Sequence, residues 1–121
     1  MIRAYIICES MRPGTSLADL RATLVNVERD AVSSATSNQP KIWSVVTFET
    51  PLEPDDLAAR FSDVLGEDPS VWYTHFRAGE DLFVVFPHRI FRYRVGNTTE
   101  RARAQDYARS LGVPQIDWDE V

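Results

Sequence analysis

Arginine is the residue type in this chain best placed to do chemistry. From Val71 to Val95 the sequence reads VWYTHFRAGEDLFVVFPHRIFRYRV, which holds Arg77, Arg89, Arg92 and Arg94 together with His88 and Trp72. Paired guanidinium groups grip carboxylate or phosphate through parallel N–H···O bonds, and they are enriched at protein interfaces. Arg92 and Arg94 are two apart, so on a strand they share one face. Arg77 and His88 come near them if the stretch folds as a meander, with Trp72 as an aromatic neighbour. Trp72, Arg77, His88, Arg92 and Arg94 are therefore the candidate ligand- or partner-binding set. The plainer reading of the same spacing is a solvated strand face whose arginines pair with local acids such as Glu80, Asp81 and Asp106.

The other reactive residue types form no constellation. Cys8 is the one cysteine. A nucleophile needs a base beside it, and nothing brings His75 or His88 there, so Cys8 reads as a small core residue among isoleucines. Two histidines without a cysteine pair or His-x-x-x-His spacing make no metal site, and no metal or cofactor is expected. Arg12-Pro13-Gly14-Thr15 lacks both glycine-rich phosphate-binding patterns and reads as a turn. The acids Asp55, Asp56, Asp117, Asp119 and Glu120 belong to a helix start and to the tail, with no spacing that points to glycosidase chemistry. Trp43, Trp72 and Trp118 are core or interface anchors, and an exposed one would mark a partner surface.

These residues must be positioned by a chain of 121 residues, the size of one domain (1–121) with a core of its own. A net charge of −5 disfavours nucleic acid or an acidic membrane as partner. The charge is uneven: six arginines between Val71 and Arg103 face three acids, which leaves the remainder strongly acidic. Lys41 is the only lysine. Arginine-rich codon usage explains that bias and points to a bacterial or phage source. The N-terminal segment becomes charged too early for a signal peptide or a membrane span, so a cytoplasmic location is expected.

Hydrophobic periodicity supplies the elements. Ile2–Cys8 reads as an inner strand with apolar residues on both faces. Ser16–Asp30 is ambiguous: Leu17, Leu20, Leu24 and Val27 have helical spacing, whereas Thr23, Val25 and Val27 alternate as in a strand. A short helical turn over Ser16–Leu20 and a strand over Ala22–Arg29 is preferred to one long helix. Ala31–Pro40 is a polar surface loop, and Lys41–Thr50 a strand. A helix follows, with Pro54 at its first position, Asp55 and Asp56 in its first turn, and Leu57, Phe61, Val64 and Leu65 as its buried stripe. Gly66 stops it. Three strands come next, Val71–Arg77, Asp81–Phe86 and Arg89–Arg94, with Phe91 and Tyr93 facing the core and Arg92 and Arg94 facing out. Asn97 caps a second helix with Ala104, Tyr107, Ala108 and Leu111 inside, ended by Gly112. In the tail, Ile116 and Trp118 are expected to dock on the body.

The order predicts an α+β fold: one largely antiparallel sheet of about five strands with two helices packed on one face. The nearest common shape is a ferredoxin-like plait with an added hairpin. With no catalytic set, the expected function is a non-enzymatic protein–protein interaction module of the immunity, anti-defence or adaptor kind. Its partner is another protein or a second copy, forming a homodimer. The alternative is a small anionic-ligand-binding domain or minor enzyme that uses the arginine cluster on the sheet.

Overall fold

A computed structural model of the chain describes residues 1–113. Its strands are β1 (Ile2–Ile7), β2 (Thr23–Ala31), β3 (Ile42–Thr50), β4 (Thr74–Ala78), β5 (Asp81–Phe86) and β6 (Arg89–Arg94). Helix α1 (Pro54–Val64) lies between β3 and β4, and α2 (Thr98–Ser110) follows β6. All pairings are antiparallel, in two three-stranded sheets of order β1-β3-β2 and β4-β5-β6. The fold is α+β, as the sequence indicates, but its strands divide between two sheets instead of forming one of about five. The sheets abut where β1 runs beside β4. There the Thr74 hydroxyl donates to the Tyr5 carbonyl at 3.0 Å, and the Tyr5 ring stands edge-on to His75 at 5.6 Å.

The helices do not share a face. Leu57, Ala58 and Phe61 of α1 pack with Phe48 of the first sheet and with Phe76, Phe83 and Val85 of the second. Ala104 and Ala108 of α2 pack with Leu82, Val84, Phe86, Phe91 and Tyr93. Alternate residues of a strand point to opposite faces, so these two sets lie on opposite sides of the β4-β5-β6 sheet. The plait with both helices on one side is therefore corrected. The cause lies in β5, where Leu82 to Phe86 are five consecutive apolar residues, all buried. A strand apolar on both faces needs cover on both. One helix supplies each.

Local signals fix most element ends. Pro54 opens α1 with Asp55 and Asp56 in the first turn, where carboxylates meet the positive end of the helix dipole. The Asn97 side chain accepts the Glu100 amide at 3.1 Å and caps α2. Gly79, at φ +61°, opens the two-residue β4–β5 turn, a conformation that costs glycine nothing. The β5–β6 turn is Pro87-His88, as expected, with His88 at φ +64°.

Four readings need correction. No helical turn forms over Ser16–Leu20; that stretch is irregular, and its leucines serve as anchors instead, Leu20 buried and Leu17 packed on the core. The third-last strand begins at Thr74, not Val71. Cys8 is exposed, because the chain leaves β1 at Ile7 and turns through a short 3₁₀ segment, Cys8–Ser10. β1 is hydrogen-bonded to one strand, β3, and gains its inner position from its contact with β4 instead of a second ladder. The expected docking of Ile116 and Trp118 falls outside the described residues.

Candidate functional site

The arginine set comes apart in the fold. Phe91 and Tyr93 are buried and Arg92 and Arg94 exposed, as the alternation requires. Arg92 is already engaged. Its Nε and Nη2 donate to Asp81 Oδ2 at 3.0 and 2.8 Å, and its Nη1 to both oxygens of Asp55 at 3.1 and 3.0 Å. Its guanidinium also lies 5.0 Å above the Phe83 ring. The result is a strut from β6 to the first turn of α1, with the fork filled by the chain's own carboxylates.

The remaining members point elsewhere. Arg77 stands opposite Leu82 and so faces the α2 side, away from Arg92 and Arg94; its Nε donates to the Gly79 carbonyl at 2.8 Å. His88 sits at the other end of β5, about 17 Å along the strand from the turn at Gly79, with Nε2 3.4 Å from Glu67. It lines a shallow cleft of about 220 Å³ with Ser62, Asp63 and Ile90, and none of Arg77, Arg92 and Arg94 reaches it. Trp72 is inside, its ring 5.3 Å from that of Trp43. His75 is half-buried between the Tyr5 and Tyr73 rings. Burial pushes its pKa down to about 4, which keeps the imidazole neutral. Among the described residues no group of three or more histidine, cysteine or acidic side chains is arranged to hold a metal. No described helix is long and apolar enough to cross a membrane.

The feature that stands apart is β2. All nine of its residues are exposed, and Leu24 (63%), Val27 (56%) and Val25 are among them. Most hydrophobic side chains of a small domain are covered, so a nine-residue strand with none covered is the anomaly here. The register explains it. Leu24 stands opposite Phe48, Val27 opposite Val46, and Ala31 opposite Ile42. These residues share the face on which α1 packs, but the helix is centred on Phe48, where Phe61 lies 6.2 Å away. Leu24 and Val27 lie beyond its reach and form a short open apolar row, which the Arg29–Ser44 pair separates from the exposed Ile42.

The far side of β2 is a free sheet edge. Among the described residues the first sheet ends there, since β2 pairs with β3 alone. The Val32 amide donates to the Lys41 carbonyl at 2.8 Å. In an antiparallel ladder, hydrogen-bonded pairs alternate with non-bonded ones. Asp30 and Glu28 thus turn their backbone groups toward β3, and Ala31, Arg29 and Val27 turn theirs outward. Ser44, opposite Arg29, fits the same alternation: its amide points away from β2 and donates to Glu9 Oε1 at 2.6 Å.

The loop end of this hairpin is tied to the body through Glu9. The Ser44 hydroxyl donates to Glu9 Oε2 at 3.0 Å and accepts from Arg29 Nη1 at 3.1 Å. Partial burial pulls the Glu9 carboxyl upward, but the Ser44 amide and hydroxyl and the Arg29 charge outweigh it and hold the pKa below its usual value. The outer edge is therefore anchored near its C-terminal end. Two features modify it. A bulge shifts the register between Leu24 and Asn26, and Glu28, Arg29 and Asp30 place charge along the strand. Sequence reasoning registered Thr23, Val25 and Val27 as strand-spaced but not as uncovered, because spacing carries no information about which neighbours arrive to cover a face.

Comparison with known proteins gives no relative: no family model, no curated protein and no solved structure matches the chain.

Proposed function

We propose that this protein is a non-enzymatic protein–protein interaction module whose contact surface is the outer edge and apolar row of β2. The observation that carries the reading is the exposure of all nine residues of that edge strand, with Leu24, Val25 and Val27 among them. An unpaired edge is a template for another strand: its main-chain groups supply affinity, and alternate side chains supply selectivity. Proteins normally blunt such edges with short strands, proline, charge, a bulge or a covering element, and β2 carries two of these, the bulge at Val25 and the charges of Glu28, Arg29 and Asp30. β2 is long and uncovered, which suits a strand that is covered by something else. A net charge of −5 favours a protein partner over a polyanion. The filled fork of Arg92, and the opposite directions of Arg77 and Arg94, leave the anion-binding alternative without a supporting observation. An immunity, anti-defence or adaptor role in the cytoplasm suits a small module of this kind.

Position-specific photo-crosslinking in cells tests the reading. A crosslinking residue at Asn26, on β2, is expected to give a discrete protein adduct. The same residue at Arg103, on the exposed side of α2, is expected to give none. No adduct at Asn26, or the same adducts at both positions, overturns the proposal.

A further inference from the structure

The reading of β2 as a contact strand can be carried to the identity of what it contacts. Resting on that reading, we infer that the β2 edge pairs with β2 of a second copy of this chain, antiparallel and centred on Val27, to make one sheet continuous across a two-fold axis. A two-fold axis normal to the sheet sets residue i opposite residue j of the other copy with i + j constant and both side chains on one face. The axis must then pass through one residue of β2, and the sequence Asn26-Val27-Glu28-Arg29-Asp30 decides which.

Centred on Glu28, the pairing sets that carboxylate against itself. Centred on Arg29, it sets two guanidinium groups against each other and Glu28 against Asp30. Like charges directly opposite on a sheet are destabilising. Centred on Asn26, it brings the bulge between Leu24 and Asn26 next to the axis, where ladder bonds are lost. Centred on Val27, no like charges meet, and the bulge at Val25 lies two residues from the axis, opposite Arg29 of the other copy, so the unbroken ladder runs over Asn26, Val27 and Glu28. Val27 meets Val27 of the other copy, and Glu28 lies opposite Asn26 of the other copy. Within one chain Asn26 Nδ2 already donates to Glu28 Oε1 at 2.5 Å, so the pairing requires only that the same two groups exchange partners across the axis.

The backbone and the exposed row agree with this register. Val27 is one of the residues whose amide and carbonyl point outward, so the axis passes through a hydrogen-bonded pair. Val46 stands beside Val27 on the same face, so a row of four valines runs through the axis from one copy to the other. Val27, 56% exposed in the single chain, becomes the centre of that row.

Solution mass and a cysteine trap test the inference together. By light scattering at high micromolar concentration the purified protein is expected at twice 13.8 kDa. Val27→Lys places two ammonium groups on the axis and should return the mass to 13.8 kDa while leaving Tm unchanged at a dilution where both proteins are monomeric, since Val27 carries no core packing. In a Cys8→Ser background, Val27→Cys should oxidise to a covalent dimer. A hydrogen-bonded antiparallel pair holds its Cα atoms about 5.5 Å apart, inside the range a disulfide spans. Glu28→Cys is offset from its own copy by two residues and should stay largely monomeric. A monomer at all concentrations, or trapping at Glu28 equal to that at Val27, overturns the inference. A monomer that still gives the Asn26 adduct in cells removes the second copy and leaves the interaction module standing. A monomer with no adduct removes both.

Discussion

Phe61→Ala lowers the stability of the protein by about 3–5 kcal/mol, the range for truncating a buried phenylalanine. The ring is fully buried in α1, 6.2 Å from Phe48 of the first sheet and 6.0 Å from Phe76 of the second. Between the sheets the contacts include the Thr74–Tyr5 hydrogen bond and the Tyr5–His75 ring edge, neither of which fills space under the helix. Removing the ring leaves a void bordered by both sheets, and neither can close it without sliding along the β1–β4 seam. A domain of this size is typically stable by about 5–15 kcal/mol, so the loss takes a large share. Urea unfolding checks it: the midpoint should fall sharply while the m-value holds. A loss below about 1 kcal/mol would mean that α1 does not join the sheets.

The second large effect is acid sensitivity centred on His75. Its pKa lies at about 4 in the folded protein against 6.5 for the free side chain, because burial disfavours the imidazolium. Its Nδ1 has no hydrogen-bond partner among the described residues, so a proton there gains no acceptor. The unfolded chain therefore binds the proton first as the pH falls. Stability is fully present above pH 6.5 and declines progressively toward pH 4, by up to about 3 kcal/mol for a shift of this size. His75→Phe keeps a ring between Tyr5 and Tyr73 and removes the titration. Denaturant midpoints at pH 7 and pH 4.5 should converge for the variant and diverge for the natural protein. Equal slopes in both would contradict the assignment.

Much of this fold was legible where the determinant is local. Pro54 with Asp55 and Asp56, the Asn97 cap, the turns at Gly79 and Pro87-His88, and the inward Phe91 and Tyr93 all follow from backbone constraints or short-range alternation. The number of sheets was not legible. A run such as Leu82 to Phe86 states that both faces are covered but not by what, so one helix on each side and two helices on the same side of a buried sheet read alike. Ser16–Asp30 misled for a related reason. Leu17 and Leu20 are spaced as in a helix because they anchor an irregular segment to the core, and Leu24 belongs to the strand that follows. The arginine set was legible in direction but not in partner: Arg92 faces out as expected, yet it meets Asp55, 37 positions earlier in the chain. β2 is the reverse case. Its strand pattern was visible, and its bareness depends on where α1 ends up.

Amide hydrogen exchange along β2 measures the central proposal most directly, with the protein dilute and then concentrated or bound to whatever it captures. Glu28 and Asp30 turn their amides to β3 and should be protected in both states. The account predicts that Val27, Arg29 and Ala31 exchange freely in the dilute protein and become protected on association, every second residue in turn. Protection gained instead on the exposed side of α2 or around Arg77 and Arg94, with Val27, Arg29 and Ala31 still exchanging freely, would contradict it.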